Sequence, residues 1–205
     1  YWETLYEKYY KVFKIYSAKN SNLIDIGCGD GNFIEYLNKK KYFKLHGTEL
    51  ASSEKNKLRK LLKENFFDKN IEDINFKGRK FEVITLWGVL EHLTNIDKTF
   101  KHITQLMSKK SILFFLIPNI NSYAFQLLKE KTPTLVPRDH LNFFSFKSIN
   151  LLTKRNNLKI LYRFQELPVI DLMYPLVRVN KRLINKIIKN KLCYYDVYVL
   201  SNQSS

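Results

Sequence analysis

Apolar residues run along this chain in two alternating rhythms. Short, nearly unbroken apolar runs of strand length recur at Asn22–Ile26, Phe81–Trp87 and Ser111–Ile117. The last of these is stopped by Pro118, as suits a central strand buried on both faces. Between the runs, apolar residues fall at helical spacing: Phe33, Ile34 and Leu37 share one face of Asn32–Lys40. The same reading predicts helices over Tyr1–Ser17, Ser53–Asn65 and Ile96–Met107, and a helix capped by Ser145 that ends near Asn156 and Asn157. Further strands are predicted at Lys44–Leu50, Phe66–Ile71, Leu158–Arg163 and Cys193–Leu200. Such alternation implies an α/β fold, a mostly parallel sheet flanked by helices. Ligands of these sheets bind beyond the carboxyl ends of the strands, where the strand order reverses.

Composition narrows this picture. The chain has 205 residues, enough for one α/β domain with a substantial core, so a single domain over 1–205 is expected. No stretch approaches the roughly 18 consecutive apolar residues of a membrane-spanning helix. No leader peptide is recognisable, and the sequence opens on Tyr1. Cys28 and Cys193 form no CxxC pair, which fits a reducing, cytoplasmic setting without a disulfide framework. The four histidines form no HExxH pattern, and no metal site is expected from spacing. The net charge of +16, from 35 basic and 19 acidic residues, has two readings. One is an anionic partner: nucleic acid, a phosphorylated or nucleotide-linked substrate, or an acidic membrane surface. The other is the lysine-rich bias of an AT-rich coding sequence.

The chemistry concentrates at the first strand end, Asp25-Ile26-Gly27-Cys28-Gly29-Asp30-Gly31. Glycines there permit a tight turn and let a ligand approach the backbone. The helix that follows offers free N–H groups to a carboxylate or phosphate. This pattern alone fits a nicotinamide or flavin domain, or a structural turn. Asn32 occupies the place of the third glycine of the dinucleotide fingerprint. Glu49, 20 residues after Gly29 at the end of the second strand, stands where an acidic side chain accepts hydrogen bonds from both ribose hydroxyls.

Several blocks together resemble one family. Leu23 through Gly31 looks like the first motif of class I S-adenosylmethionine-dependent methyltransferases. Asn70-Ile71-Glu72-Asp73-Ile74 resembles their adenine-contacting segment. Phe81 through Leu93 resembles the fourth-strand motif of the ubiquinone-methyltransferase-like branch, as do Pro118-Asn119 and His140 through Ser145. The likeness runs from about residue 20 to residue 163. It implies a Rossmann-like, mostly parallel seven-stranded sheet, with S-adenosylmethionine as cofactor and S-adenosylhomocysteine as product. It further implies that Gly27, Gly29 and the Cys28 backbone cradle the methionine end, and that Asp25 anchors the loop or reaches the amino group through water. Glu49 would hold the ribose, Asn70 and the Ile71 backbone would meet the adenine edge, and Trp87 would pack near the sulfonium. The family often has Asp where Asn70 stands; an amide oxygen still accepts from the adenine amino group. Where the family commonly has Gly-Gly before the fifth strand, Lys109-Lys110 suggests a different turn.

A hydroxyl acceptor needs a general base, and the resemblance points to His140; the alternative for His140 is a structural role, fixing the loop before Ser145 by hydrogen bonds. His92 beside Glu91 is read as ordering the loop behind the cofactor. The aromatic N-terminus, residues 1–17 with Tyr1, Trp2, Tyr6, Tyr9, Tyr10 and Phe13, is expected to act partly as lid and partly as packing helix. Residues 164–192 form an insertion between the last two strands. Within 176–191, Leu176, Val179, Leu183, Ile184, Ile187 and Ile188 fall at helical spacing among six basic residues. That stripe fits peripheral membrane contact, a clamp for an anionic substrate, or simple packing on the domain. The expected activity is O-methylation of a small or glycan-like acceptor, such as a nucleotide-linked sugar or polysaccharide precursor. RNA or protein methylation, and a non-catalytic cofactor-binding partner subunit, are the rival readings.

Overall fold

A computed structural model describes residues 1–50, 53, 55–136, 138–167 and 179–203. Helix α1 (Trp2–Ile15) precedes β1 (Asn22–Ile26), α2 (Asn32–Lys40), β2 (Lys44–Thr48), α3 (Lys55–Leu62) and a two-residue β3 (Phe66–Phe67). The second half runs β4 (Phe81–Trp87), α4 (Ile96–Leu106), β5 (Met107–Pro118), α5 (Tyr123–Leu128), α6 (Phe146–Arg155), β6 (Leu158–Glu166), α7 (Lys181–Lys189) and β7 (Tyr195–Asn202). The seven strands lie in the order β3-β2-β1-β4-β5-β7-β6. The first five are parallel; β7 runs antiparallel between β5 and β6. The order in which strands are added reverses between β1 and β4, which stay parallel, so the crevice of such a sheet opens at their carboxyl ends.

Both faces of the sheet are covered. On one, Ile24, Ile84, Leu86, Leu113 and Phe115 meet Phe100 and Ile103 of α4 and Ile149 of α6. On the other, Leu23, Val83, Ile112, Phe114 and Leu116 meet Tyr9 and Phe13 of α1 and Phe33 and Leu37 of α2. Alternation along each strand sends consecutive side chains to opposite layers. That is why β5 is buried without a break from Ser111 to Pro118.

Four local expectations are corrected. The third strand shrinks to Phe66–Phe67, because the polar run Asp68-Lys69-Asn70 leaves nothing to bury beyond the β2 pairing. Lys109-Lys110 forms no separate turn. The pair sits exposed inside β5, where the β4 register shifts between Phe81 and Val83 and Ser111 Oγ donates to Phe81 O at 2.5 Å. Helix α5, capped by Ser122 Oγ accepting from Phe125 N, was not expected. The last strand begins at Tyr195 rather than Cys193. Helix α6 starts as expected, with Ser145 and Ser148 exchanging side chain-to-backbone hydrogen bonds in a capping box.

Only part of the basic insertion falls within the described residues; Leu176 and Arg178 lie outside them. Helix α7 turns Ile187 into a small cluster with Ala124, Leu128, Cys193 and Tyr194, and Leu183 packs against it. Ile188 is half exposed, and Lys181, Arg182, Lys186 and Lys189 face solvent. Among the described residues no helix is long and apolar enough to cross a membrane.

Candidate cofactor site

The loop from β1 to α2 is built by its backbone. Gly27 N and Cys28 N both donate to Thr48 O at 2.9 Å, tying the loop to the end of β2. Gly27 (φ +72°) and Gly29 (φ +55°) adopt the left-handed conformation that glycine tolerates and L side chains avoid. A Cβ on Gly27 would also stand 2.7 Å from a Val89 methyl, so the loop can lie against the chain after β4 only with glycine there. At Gly29 a Cβ would meet nothing within 4 Å. The Glu49 carboxylate accepts from Gly29 N at 2.7 Å, so the acid at the end of β2 and the glycine turn are one hydrogen-bonded unit. Lys57 of α3 closes the far side of the turn, donating to Asp30 O and Asn32 Oδ1 at 3.2 Å each.

Beside this turn lies a cavity of about 1030 Å³. That is the size range of pockets for drug-sized and cofactor-sized ligands. Asp25, Gly27, Cys28 and Gly29 form one wall, Phe33 and Tyr36 of α2 another, and Trp2 and Tyr6 of α1 a third, with Trp87 at the end of β4. Trp87 packs on Phe114 at 4.6 Å, Phe33 at 4.9 Å and Tyr6 at 5.4 Å between ring centroids. Its Nε1–H is buried and has no hydrogen-bond partner among the described residues. A buried donor left unmatched costs free energy, so this edge of the cavity is suited to a ligand that brings an acceptor.

Asp25 is 1% exposed and pairs across the sheet with Thr85, whose Oγ1 donates to its carboxylate at 2.6 Å. Burial pushes the Asp25 carboxyl up to about 8; the Thr85 and Cys28 hydrogen bonds pull the other way, and the nearby Glu49 charge adds to the rise. Burial likewise holds the Tyr6 hydroxyl up at about 12, helped by the charges of Asp25 and Asp30. A carboxyl held neutral beside a cavity ionises readily when a cation arrives. The sign for stability follows. Because the folded value lies above the ordinary 3.8, the stabilisation from Asp25 is complete below that pH and is lost as pH rises through about 8. Asp25→Asn should therefore flatten that part of the melting temperature against pH relative to wild type. Parallel wild-type and variant curves across this window would contradict the assignment.

The other residues singled out from sequence are spread more widely. Asn70 is exposed and precedes a 3₁₀ turn, Ile71–Asp73; Ile71 is buried against the sheet core. Neither lines the cavity. His140 does not line it either. It sits against His92, with ring centroids 4.6 Å apart, and its Nδ1 is buried without a hydrogen-bond partner among the described residues. Burial, and then the charge of His92, lower its pKa below the ordinary 6.5. Glu91, only 3% exposed, carries the same kind of orphan at Oε2, and burial pushes its carboxyl up to about 7. Phe33 and Tyr36 line the site yet carry no motif, and their signal was only helical periodicity; Tyr6 lines it from the aromatic N-terminus, and Thr85, inside the fourth-strand block, supports it through Asp25.

The chain is similar to known proteins in sequence and fold. A family model described as "Methyltransferase domain" matches residues 1–163. The ubiquinone biosynthesis O-methyltransferase of Pelagibacter ubique (strain HTCC1062) is 27% identical over 173 residues, covering 75% of this chain and 70% of that protein. The methyltransferase-like 235L of Invertebrate iridescent virus 6 is 24% identical over 131 residues, which is 62% of this chain and 47%, just under half, of the viral protein. Among solved structures, a S-adenosylmethionine-dependent methyltransferase from Clostridium acetobutylicum ATCC 824 superposes with a TM-score of 0.65. It is 16% identical and covers 96% of this chain and 90% of its own, a likeness of fold.

Proposed function

The chain belongs to the methyltransferase-domain family, and on that premise we propose that it uses S-adenosylmethionine to methylate an oxygen of a small, anionic or sugar-linked acceptor. One observation carries the cofactor part of this reading: the Gly27–Gly29 turn, bonded to Glu49, beside a cavity that ends at Asp25 and Trp87. When bound, S-adenosylmethionine supplies a methyl group on a sulfonium, an electrophile that needs no further activation. The work left to the chain is binding, orientation and exclusion of water.

Each residue has a part. Asp25 offers a carboxyl that ionises toward the ligand's ammonium, and Thr85 orients it. Glu49 accepts from the ribose hydroxyls in addition to Gly29 N. Asn70 and the Ile71 backbone meet the adenine edge. Trp87 and Tyr6 give the methionine end an aromatic wall, and α1 covers it, with Tyr9 held by Glu166 of β6 at 2.6 Å. His140, on the chain after β5, draws a proton from the acceptor hydroxyl only while its ring nitrogen holds no other ligand. The acceptor class rests on the +16 charge and on the ubiquinone O-methyltransferase likeness. The same charge favours RNA as a second reading, and α7 with its solvent-facing lysines supports contact with an anionic surface.

Methyl-labelled cofactor, incubated with separate panels of phenolic, nucleotide-sugar and RNA acceptors, tests the proposal. Label in a base-stable ether on a small acceptor is the expected result. Label only on nitrogen, or only on RNA with steep salt dependence, would replace O-methylation of a small acceptor with the rival reading.

A further inference from the structure

Two of the buried orphans beyond the cavity, on Glu91 and His140, converge on one point. Glu91 and His92 sit on the 3₁₀ turn that follows β4, and His140 comes from the loop before α6. Each offers one ligand atom, a carboxylate oxygen or a ring nitrogen, and the three atoms lie within 4.8 Å of one another.

Three features go beyond proximity. First, Glu91 is 3% exposed, and among the described residues neither its Oε2 nor the buried Nδ1 of His140 has a hydrogen-bond partner. A carboxylate oxygen and an imidazole nitrogen with nothing to bond are costly where they stand, and a cation accepts lone pairs from both. Second, His92 Nδ1 lies 2.6 Å from the Asp139 carbonyl oxygen. A ring N–H donated there leaves the Nε2 lone pair free, the arrangement by which metal-binding imidazoles are oriented. Third, the two loops are stapled together. Leu141 N and Asn142 N donate to Glu91 O at 2.7 and 3.0 Å, and Asn142 Nδ2 donates to Leu93 O at 2.7 Å. His140 is thereby held against the Glu91 turn whatever the cavity contains.

We propose that Glu91, His92 and His140 bind a divalent transition-metal ion through one carboxylate oxygen and two imidazole nitrogens. That donor set suits zinc, cobalt(II), manganese or iron(II) better than calcium or magnesium, which prefer oxygen alone. Metal–ligand bonds of about 2.0–2.2 Å draw such atoms to roughly 3.5 Å apart, so side-chain shifts of about 1 Å complete the site. Three protein ligands leave a coordination position open. The turn begins just after Trp87, which lines the large cavity, and Glu91 Oε1 would stand 3.4 Å from a Cβ on Gly88. A ligated His140 has no lone pair there to take a proton, so an occupied site excludes that nitrogen as the base. The site stands on its own ligands, whatever the acceptor is.

The test needs neither cofactor nor acceptor. The purified chain is stripped with chelator, checked for an unchanged melting curve, and titrated with cobalt(II) while visible absorption is followed. Uptake of one equivalent with an intense visible band, displaced by zinc, is expected. Glu91→Gln and His140→Ala should each weaken uptake at least tenfold. His92→Ala, at an exposed position where folding is undisturbed, should do the same. No visible band in the folded wild-type chain, or a band that all three variants retain, would overturn the proposal.

Discussion

Glu49→Ala should bind S-adenosylmethionine and S-adenosylhomocysteine about 100-fold more weakly than wild type, with little change in melting temperature. The carboxylate already accepts from Gly29 N at 2.7 Å, so it is held at the mouth of the glycine turn before any ligand arrives. Each hydrogen bond from a neutral donor to a charged acceptor contributes about 1.5–3 kcal/mol, and the ribose offers two such donors. Part of that is offset because the freed Gly29 N–H turns to water at an exposed site. Glu49→Gln keeps one acceptor oxygen and should lose less. Equal affinity for wild type and Glu49→Ala, measured by equilibrium dialysis of labelled S-adenosylhomocysteine, would remove Glu49 from the site.

The largest loss of stability is expected far from the cavity. Asp196 on β7 is 1% exposed. Arg163 on β6 grips both its oxygens, with Nη2 at 3.0 and 2.8 Å and Nε at 3.1 Å. Gln165 Nε2 donates to it at 2.6 Å and Tyr198 OH at 3.2 Å. Arg163 also lies over the Phe146 ring at 4.8 Å. Arg163→Ala leaves a buried carboxylate with two neutral donors, and breaking such a pair costs about 3–5 kcal/mol. Replacing both partners by apolar residues, Arg163→Met with Asp196→Leu, should recover most of the loss, because neither charge then remains to be solvated. Urea unfolding reads this as a midpoint that falls in the single variant and returns in the double. A single variant within about 1 kcal/mol of wild type would mean that water already reaches Asp196.

What the sequence disclosed and what it hid follow from the same physics. The strands β1, β4 and β5 were legible because each is an apolar run of strand length with a glycine or proline at its end. Glu49 was legible because its partner is the glycine turn at a fixed distance along the chain. Helix α5 was hidden because its six residues follow an Asn- and Ser-rich loop, and one short turn of apolar residues has no period to read. The edge strand β3 was overestimated because nothing in an apolar Phe-Phe pair says where pairing stops. The Glu91, His92 and His140 cluster was the least legible. His140 meets the other two because Asp139, Leu141 and Asn142 hydrogen-bond to the Glu91 turn, and no spacing rule encodes that contact. The charge was visible at once but belongs to no single feature. Several of the lysines are spent on local ion pairs, such as Lys40 with Glu7 and Lys57 with Glu35, while others on α7 face solvent.

The central claim is that the Gly27–Gly29 turn and Glu49 form a site for the adenosyl cofactor of a methyltransferase and not for a dinucleotide. Calorimetric titration of the wild-type chain with S-adenosylmethionine and S-adenosylhomocysteine, with NADH as the control, tests it directly. Micromolar, one-to-one binding of the first two and none of NADH is the predicted result. Binding of NADH in their place, or no binding of either in a demonstrably folded sample, would contradict it.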